Sequence, residues 1–237
     1  KAPKLVITGD TIEEEPHMVV TVVATFALAT FVLLRAAVEA STPLMGFESV
    51  AAAIGGLLFA DFFTGIFHFL VDNYGNGSTP VFGSVIEAFQ GHHDSPWTIT
   101  SRGFANNVHK ICYGVLPLLA LVALVGPGPV TSSSAVAFLV ASVMSQELHK
   151  FSHMISPPAP VRALQDAGVI LSRRAHGQHH SSPFQDHYCI VTGHCNEFMD
   201  KSGIFRLLEN IIYKATGVES NTWKLDHNIK NQALRMM

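Results

Sequence analysis

The chain has 237 residues, of which 48% are hydrophobic and only 14% charged, with a formal net charge of −3. A charged fraction far below the roughly 25% of soluble domains excludes disorder, coiled coil and collagen, and argues against an ordinary soluble enzyme. The missing basic excess excludes nucleic acid as a partner, and three cysteines cannot complete a disulfide framework, which points to free thiols in a reducing compartment.

The chain begins at Lys1 rather than Met and carries no signal-peptide pattern, which predicts a processed mature form or a start inside a longer precursor. Residues 1–17 are polar, with the acidic run Glu13-Glu14-Glu15 ahead of Pro16, and read as a solvated lead-in. Met18 to Leu34 is free of charge; as a helix it rises about 26 Å, and continuation to Val38 reaches the thickness of a membrane. A second apolar stretch runs from Phe47 to Val71, interrupted by Asp61 and His68. A third, from Ile111, ends in Gly-Pro-Gly-Pro, a strong helix stop, and a fourth follows from Val130 into Glu147-Leu148-His149. These stretches predict an all-α integral membrane protein with about four transmembrane helices, near 18–38, 47–71, 111–126 and 130–149. A buried helical bundle in a soluble protein is the competing architecture, disfavoured by the low charge content. Residues 203–216 have the apolar spacing of an interfacial amphipathic helix, and 218–237 read as a C-terminal tail.

With four spans, the N-terminus, the 72–110 connection and everything after Lys150 share one side of the membrane. Of the 15 Lys and Arg residues, only Arg35 lies near the other side. The positive-inside bias then places the polar regions in the cytosol or an equivalent compartment such as a plastid stroma.

Thirteen histidines stand beside 15 Lys and Arg. Eight of them are grouped: His68 with Asp72 four residues on, His92-His93, His149 with His153, and His176 with His179-His180. Residues three or four apart share a helix face, so each group aims its imidazoles at one place, and imidazole is a good ligand for first-row metals. Eight are too many for one zinc and suit two six-coordinate metals. No HExxH is present, and the Glu-x-x-His pattern of carboxylate di-iron bundles is missing too. The spans carrying His68 and His149 end on the same side as the loops carrying the other groups, which predicts a histidine-rich cap on one membrane face. A histidine-rich, carboxylate-poor site beside a bilayer points to oxygen-activating non-haem iron. His17, His187, His194 and His227 lack a spaced partner and read as ordinary core or surface groups; His109, at the head of the third span, is intermediate. Asp61, inside the second span, shares a face with His68 and Asp72. It reads as an acceptor that orients a ligand imidazole or, alternatively, as a partner for a hydroxyl on another span. Asp72 fits either a ligand or a group supporting one.

The stretches ADFFTGIFHFLVDNYG, EAFQGHHDSPWTIT, FANNVH, HKFSH, LQDAGVILSRRAHGQHH and YCIVTGHCN resemble the membrane lipid desaturases. That family includes plasmanylethanolamine desaturase and a plant chloroplast enzyme acting on phosphatidylglycerol. The resemblance runs from about Gly56 to Gly217, and EAFQGHH, PWTIT and YCIVTG look closest to the plastid branch, which forms a Δ3-trans bond in palmitate. It implies that residues 18–217 form a lipid desaturase domain with two iron ions held by His68, His92, His93, His149, His153, His176, His179 and His180. It further implies O2, a ferredoxin-type electron donor, a membrane phospholipid substrate, and a chloroplast membrane, thylakoid or envelope, with the histidine face toward the stroma. Arg102, Arg173 and Arg174 are candidates for the lipid phosphate, since guanidinium binds phosphate in a fork, or alternatively plain positive-inside residues. Two other functions compete: the same chemistry on an alkyl ether lipid, giving a vinyl ether, and a metal-free structural or assembly subunit of a thylakoid complex. Docking of the enzyme itself on such a complex is compatible with the first reading.

Overall fold

The structure, a computed structural model, describes residues 2–5, 7 and 9–236. Among them form eleven α-helices and one 3-10 turn, and no strand. Four long helices build the body: α1 (Pro16–Glu39), α2 (Pro43–Asn73), α4 (Phe104–Val125) and α5 (Pro129–His153). Their ends follow from local chemistry. Thr42 accepts a hydrogen bond from the Met45 N–H at the start of α2, with Pro43 in the first turn, where its missing donor costs nothing. Gly126, in the left-handed region at φ 59°, ends α4, and Pro129 opens α5.

α1 and α4 run in one direction and α2 and α5 in the other. At the far end from the histidines, Arg35 of α1 donates to the carbonyls of Ala123 (2.6 Å) and Val122 (3.3 Å) in the last turn of α4, where Val122 also accepts the Gly126 N–H (3.1 Å). At the near end, Glu14 caps the Ala105 N–H (2.6 Å) and Asn106 Nδ2 donates to the Thr11 and Glu13 carbonyls (both 2.9 Å). The acidic lead-in is therefore tied across the head of α4 rather than only solvated. Its cap explains why α4 begins at Phe104, seven residues before the apolar stretch that predicted the span.

Val22, Val32, Val108, Leu119, Val136 and Val143 form a buried core between α1, α4 and α5. α2 and α5 approach closely at Gly56, where an added Cβ would lie 2.3 Å from the Ser134 carbonyl oxygen. On the outside the pattern inverts: Phe31, Leu34, Phe47, Val50, Ile54 and Leu124 are exposed, as lipid-facing residues are. α1, α2 and α4 are long and apolar enough to cross a membrane. α5 is comparably long at 25 residues. Serines such as Ser133, Ser142 and Ser145 lower its hydropathy, and it packs against the other three. The count of about four spans thus becomes three by length and composition, with α5 the helix that shares their bundle.

The shorter helices cap the near end: α3 (Gly83–Asp94), α6 (Ala159–Asp166), α7 (Arg173–His179), α8 (His194–Ser202), α9 (Ile204–Thr216), α10 (Asn221–Leu225) and α11 (His227–Leu234). α9 is the helix expected over 203–216; it buries Phe205, Glu209 and Asn210 and exposes Leu207 and Ile211. Of the tail expected over 218–237, the described residues 218–236 fold back on it, with Trp223 fully buried and its indole N–H donating to Glu209 (2.9 Å).

Candidate metal centre

The last turns of α2 and α5, the end of α3 and the short α7 meet at the near end of the bundle. Helical spacing does the positioning: His68 and Asp72 lie one turn apart on α2, His149 and His153 one turn apart on α5, and His176, His179 and His180 lie on α7 and its C-cap. The eight grouped histidines and Asp72 divide into two sets, each with ligand atoms within 4.8 Å of one another. The first holds His92, His149, His153, His176 and His180; the second holds His68, Asp72, His93 and His179.

In the first set the Nε2 atoms face each other. His92 and His176 each lie 2.9 Å from His153, while His149 is 3.1 Å from His153 and His180 is 3.1 Å from His176. In the second, Asp72 Oδ2 lies 3.0 Å from His93 Nε2, 3.2 Å from His68 Nε2 and 3.3 Å from His179 Nε2. The outer ring nitrogens of two of these are anchored: His68 Nδ1 donates to the Tyr188 carbonyl and His179 Nδ1 to the Asp186 carbonyl, both at 2.9 Å. That choice of tautomer leaves each Nε2 lone pair aimed inward.

The donor set fits metal ions on two observations. Burial, with neighbouring imidazoles adding to it, pushes His92 and His176 well below the ordinary histidine range, His179 to about 4 and His180 to about 2. These rings are therefore neutral at physiological pH, the form that binds metals. The inward nitrogens of His68 and His179 and Asp72 Oδ1 are buried without a hydrogen-bond partner. Buried polar atoms left unpaired cost stability, and a cation between them removes that cost.

Asp61 does not orient an imidazole, nor does it meet a hydroxyl of another span. Its Oδ1 accepts the backbone N–H groups of Val191 (3.1 Å), Thr192 (2.7 Å) and Gly193 (2.9 Å), and its Oδ2 accepts that of Cys195 (3.0 Å). A carboxylate inside an apolar helix is tolerated because four backbone donors satisfy it; by this route it fixes the segment whose Tyr188 carbonyl holds His68. Arg102 is also committed elsewhere: it ion-pairs with Asp10 and donates to the Thr11 carbonyl and Asn106 Oδ1 (both 2.8 Å), so its fork is not open to phosphate. Arg173 and Arg174 are exposed at the start of α7, and Arg173 reaches the His153 carbonyl (3.5 Å). His109 bonds back to the Ala105 and Asn106 carbonyls within α4. His17, His194 and His227 lie outside both sets. His187 joins a third grouping with Asp186 and Asp200. There it is an ion-paired imidazole, Nδ1 2.8 Å from Asp186 and 3.3 Å from Asp200, and the two acids raise its pKa. Sequence reasoning missed this trio because Asp200 is thirteen residues away and arrives on α8.

A cavity of about 490 Å³ opens between α2, α3, α4 and α5, walled by Phe63, Phe67, Phe89 and Ile111 and reaching His92 and His149 of the first set. A smaller one of about 180 Å³ meets Asp72 and His93 of the second.

The lipid desaturase domain family matches residues 57–223. The chain is 42% identical over 182 residues to "Fatty acid desaturase 4, chloroplastic" of Arabidopsis thaliana, covering 74% of this chain and 55% of that protein. It is 38% identical over 178 residues to "Fatty acid desaturase 4-like 1, chloroplastic" of the same plant, covering 74% and 60%. It is 35% identical over 202 residues to a plasmanylethanolamine desaturase of Myxococcus xanthus, covering 81% and 72%. The chain thus spans little more than half the length of the first of these relatives. No solved structure matches it. The matched region holds both histidine sets in full, and on that match the chain belongs to the lipid desaturase family.

Proposed function

We propose that this chain is a di-iron desaturase of membrane phospholipids. In this reading it forms trans-3-hexadecenoyl phosphatidylglycerol in a chloroplast membrane, thylakoid or envelope, drawing electrons from a ferredoxin-type donor in the stroma. The observation that carries it is the juxtaposition of two metal-fitting sets with an apolar cavity that ends on one of them. The balance is simple: an acyl –CH2–CH2– unit, O2, two electrons and two protons give –CH=CH– and two waters. Iron, when bound, supplies the oxygen reduction and the strong oxidant that unactivated C–H cleavage needs. His68, Asp72, His93 and His179 would hold one ion, and His92, His149, His153, His176 and His180 the other. The protein's own work is positioning. The phenyl rings of Phe63, Phe67 and Phe89 hold the acyl chain and keep water from His92 and His149, while the Tyr188 and Asp186 carbonyls hold two ligand rings in the right tautomer. In this reading α5 crosses the bilayer with its neighbours and residues 18–217 are the catalytic domain.

The names of the two Arabidopsis relatives support the chloroplast and the fatty acyl chain. The match to the Myxococcus enzyme, over more of that protein's length, favours a second reading, an ether lipid converted to a vinyl ether. Lipid profiling of a host that makes both lipids but neither product separates them. The expected result is a new trans-3-hexadecenoyl chain confined to phosphatidylglycerol, with two irons per purified chain. A vinyl ether product overturns the substrate assignment, and a single zinc per chain overturns the di-iron centre.

A further inference from the structure

The large cavity, lined mostly by apolar surface, also carries charge. Lys4, Asp10, Arg102 and Lys110 all line it. Asp10 and Arg102 neutralise each other. Lys110, by contrast, makes no hydrogen bond or ion pair among the described residues, and it is exposed on the first turns of a helix long and apolar enough to span. Its position relative to the histidines follows from a cross-link between helices. Asn107 Nδ2 of α4 donates to the Gln146 carbonyl (2.9 Å) and to Glu147 (3.0 Å) of the antiparallel α5. From that rung His149 lies about 3–4 Å toward the cap, and the Lys110 Cα about 4–5 Å toward the bilayer. A helical side chain leans toward its own N-terminus, so the lysine stem carries its ammonium back toward the cap. The electrostatics agree: burial alone would raise the Asp10 carboxyl, yet Arg102 and, more weakly, Lys110 hold it below its ordinary value. The ammonium therefore stands at the rim, close to the level of the histidines, with the apolar shaft running past it toward the bilayer.

We propose that Lys110 binds the phosphate of the lipid substrate at the rim of this cavity and acts as a ruler, fixing which acyl carbons lie against His92 and His149. A phosphate held there leaves only the glycerol and the ester between the anchor and the histidine level, so the reacting carbons are those next to the ester and the rest of the chain fills the shaft. Lys4 and Lys110, whose ammonium groups make no hydrogen bond or ion pair among the described residues, give the rim a net positive charge and select a headgroup with net negative charge. The inference rests on the desaturase reading above; the residue it adds is Lys110, in place of the occupied Arg102.

The test compares the wild type with Lys110→Met and Lys110→Arg, full-length and iron-loaded, in vesicles of phosphatidylglycerol, phosphatidylcholine or a neutral galactolipid. Native mass spectrometry of the same purified proteins reads lipid retention without turnover. Lys110→Met is expected to raise KM for phosphatidylglycerol about ten-fold or more, the worth of one charge-assisted hydrogen bond, with kcat nearly unchanged. It is also expected to scatter the double bond over neighbouring positions and to lose retained phosphatidylglycerol. Lys110→Arg restores all three. A Lys110→Met protein that retains phosphatidylglycerol as the wild type does overturns the proposal, as does one whose KM rises equally for the galactolipid. A wild type that retains phosphatidylglycerol in a Lys110-dependent way but desaturates no lipid overturns the desaturase reading and leaves the phosphate site standing.

Discussion

Asp72 is the only carboxylate in either histidine set, and it makes the two sets unequal. With two irons bound as proposed, three imidazoles and a carboxylate would stabilise a higher metal charge than five imidazoles would, so the ion beside Asp72 would be the harder of the two to reduce. The grouping of the histidines was legible in the sequence because helical spacing is a property of numbering alone. Whether Asp72 was ligand or support was not legible, since its oxygen meets His93 and His179 only through tertiary packing of α2, α3 and α7. The same reasoning separates histidines by role. His179 is fully buried with its Nε2 turned to Asp72, whereas His227 sits exposed at the start of α11. His179→Ala should lower turnover by more than about 100-fold and remove about half of the bound metal, while His227→Ala leaves both near the wild-type level. Metal analysis and activity measured at matched expression check this; equal losses in the two variants would contradict the assignment.

At the scale of elements, the long helices were predictable because their apolar runs are long, that of α2 broken only by Asp61 and His68, and one end was predictable at the Gly-Pro-Gly-Pro turn; the start of α2 at Pro43 was not, the span being expected from Phe47. The start of α4 was not, because its cap comes from Glu14, distant in sequence. The partner of Asp61 was equally hidden, since backbone N–H groups leave no mark on a sequence. The irregular segment 188–193 and the first turn of α8 have no ladder to satisfy the N–H groups of Val191, Thr192, Gly193 and Cys195, and α2 supplies the acceptor through that single side chain. Packing seals the joint: a Cβ at Gly65, one turn along α2, would lie 2.6 Å from Cys189 Sγ. Asp61→Ala removes the acceptor of four backbone donors at once. It should destabilise the detergent-solubilised protein by at least about 2 kcal/mol, read as a lower Tm. Because Tyr188 then loses its fixed place, the His68 set should release its metal more readily than the His92 set, so that chelation becomes biphasic. An Asp61→Ala protein with the wild-type Tm would show that the segment is held by packing alone.

For the whole molecule the arrangement of charge decides which way it sits. Among the described residues every lysine and arginine except Arg35 lies toward the histidine end, in the lead-in, in the cap, or on the first turns of α4 and the last turn of α5, and Arg35 is spent on the last carbonyls of α4 and on Glu39. Insertion follows the side richer in lysine and arginine, so the cap should face the cytoplasm of a bacterial host, the topological equivalent of the stroma. The consequence is functional as well as topological. Under the proposed function electrons and protons would reach the histidine sets from the aqueous side, and the small cavity beside Asp72 and His93 lies among cap residues such as Gln90, Pro183 and Asn221. The lipid would approach through the other cavity, between helices whose outer faces are apolar. The two reactants would then arrive by separate routes, which requires the cap to be on the side of the proposed soluble donor. Orientation can be read directly with a membrane-impermeant maleimide on intact bacterial cells, in a Cys195→Ser background that removes the least buried native thiol. Ser41→Cys, exposed in the short connection between α1 and α2, should label from outside. Ser181→Cys, exposed in the cap just after His180, should label only once the cells are lysed. The reverse pattern would put the histidines on the wrong face for a soluble electron donor and would overturn the orientation drawn from the charge bias.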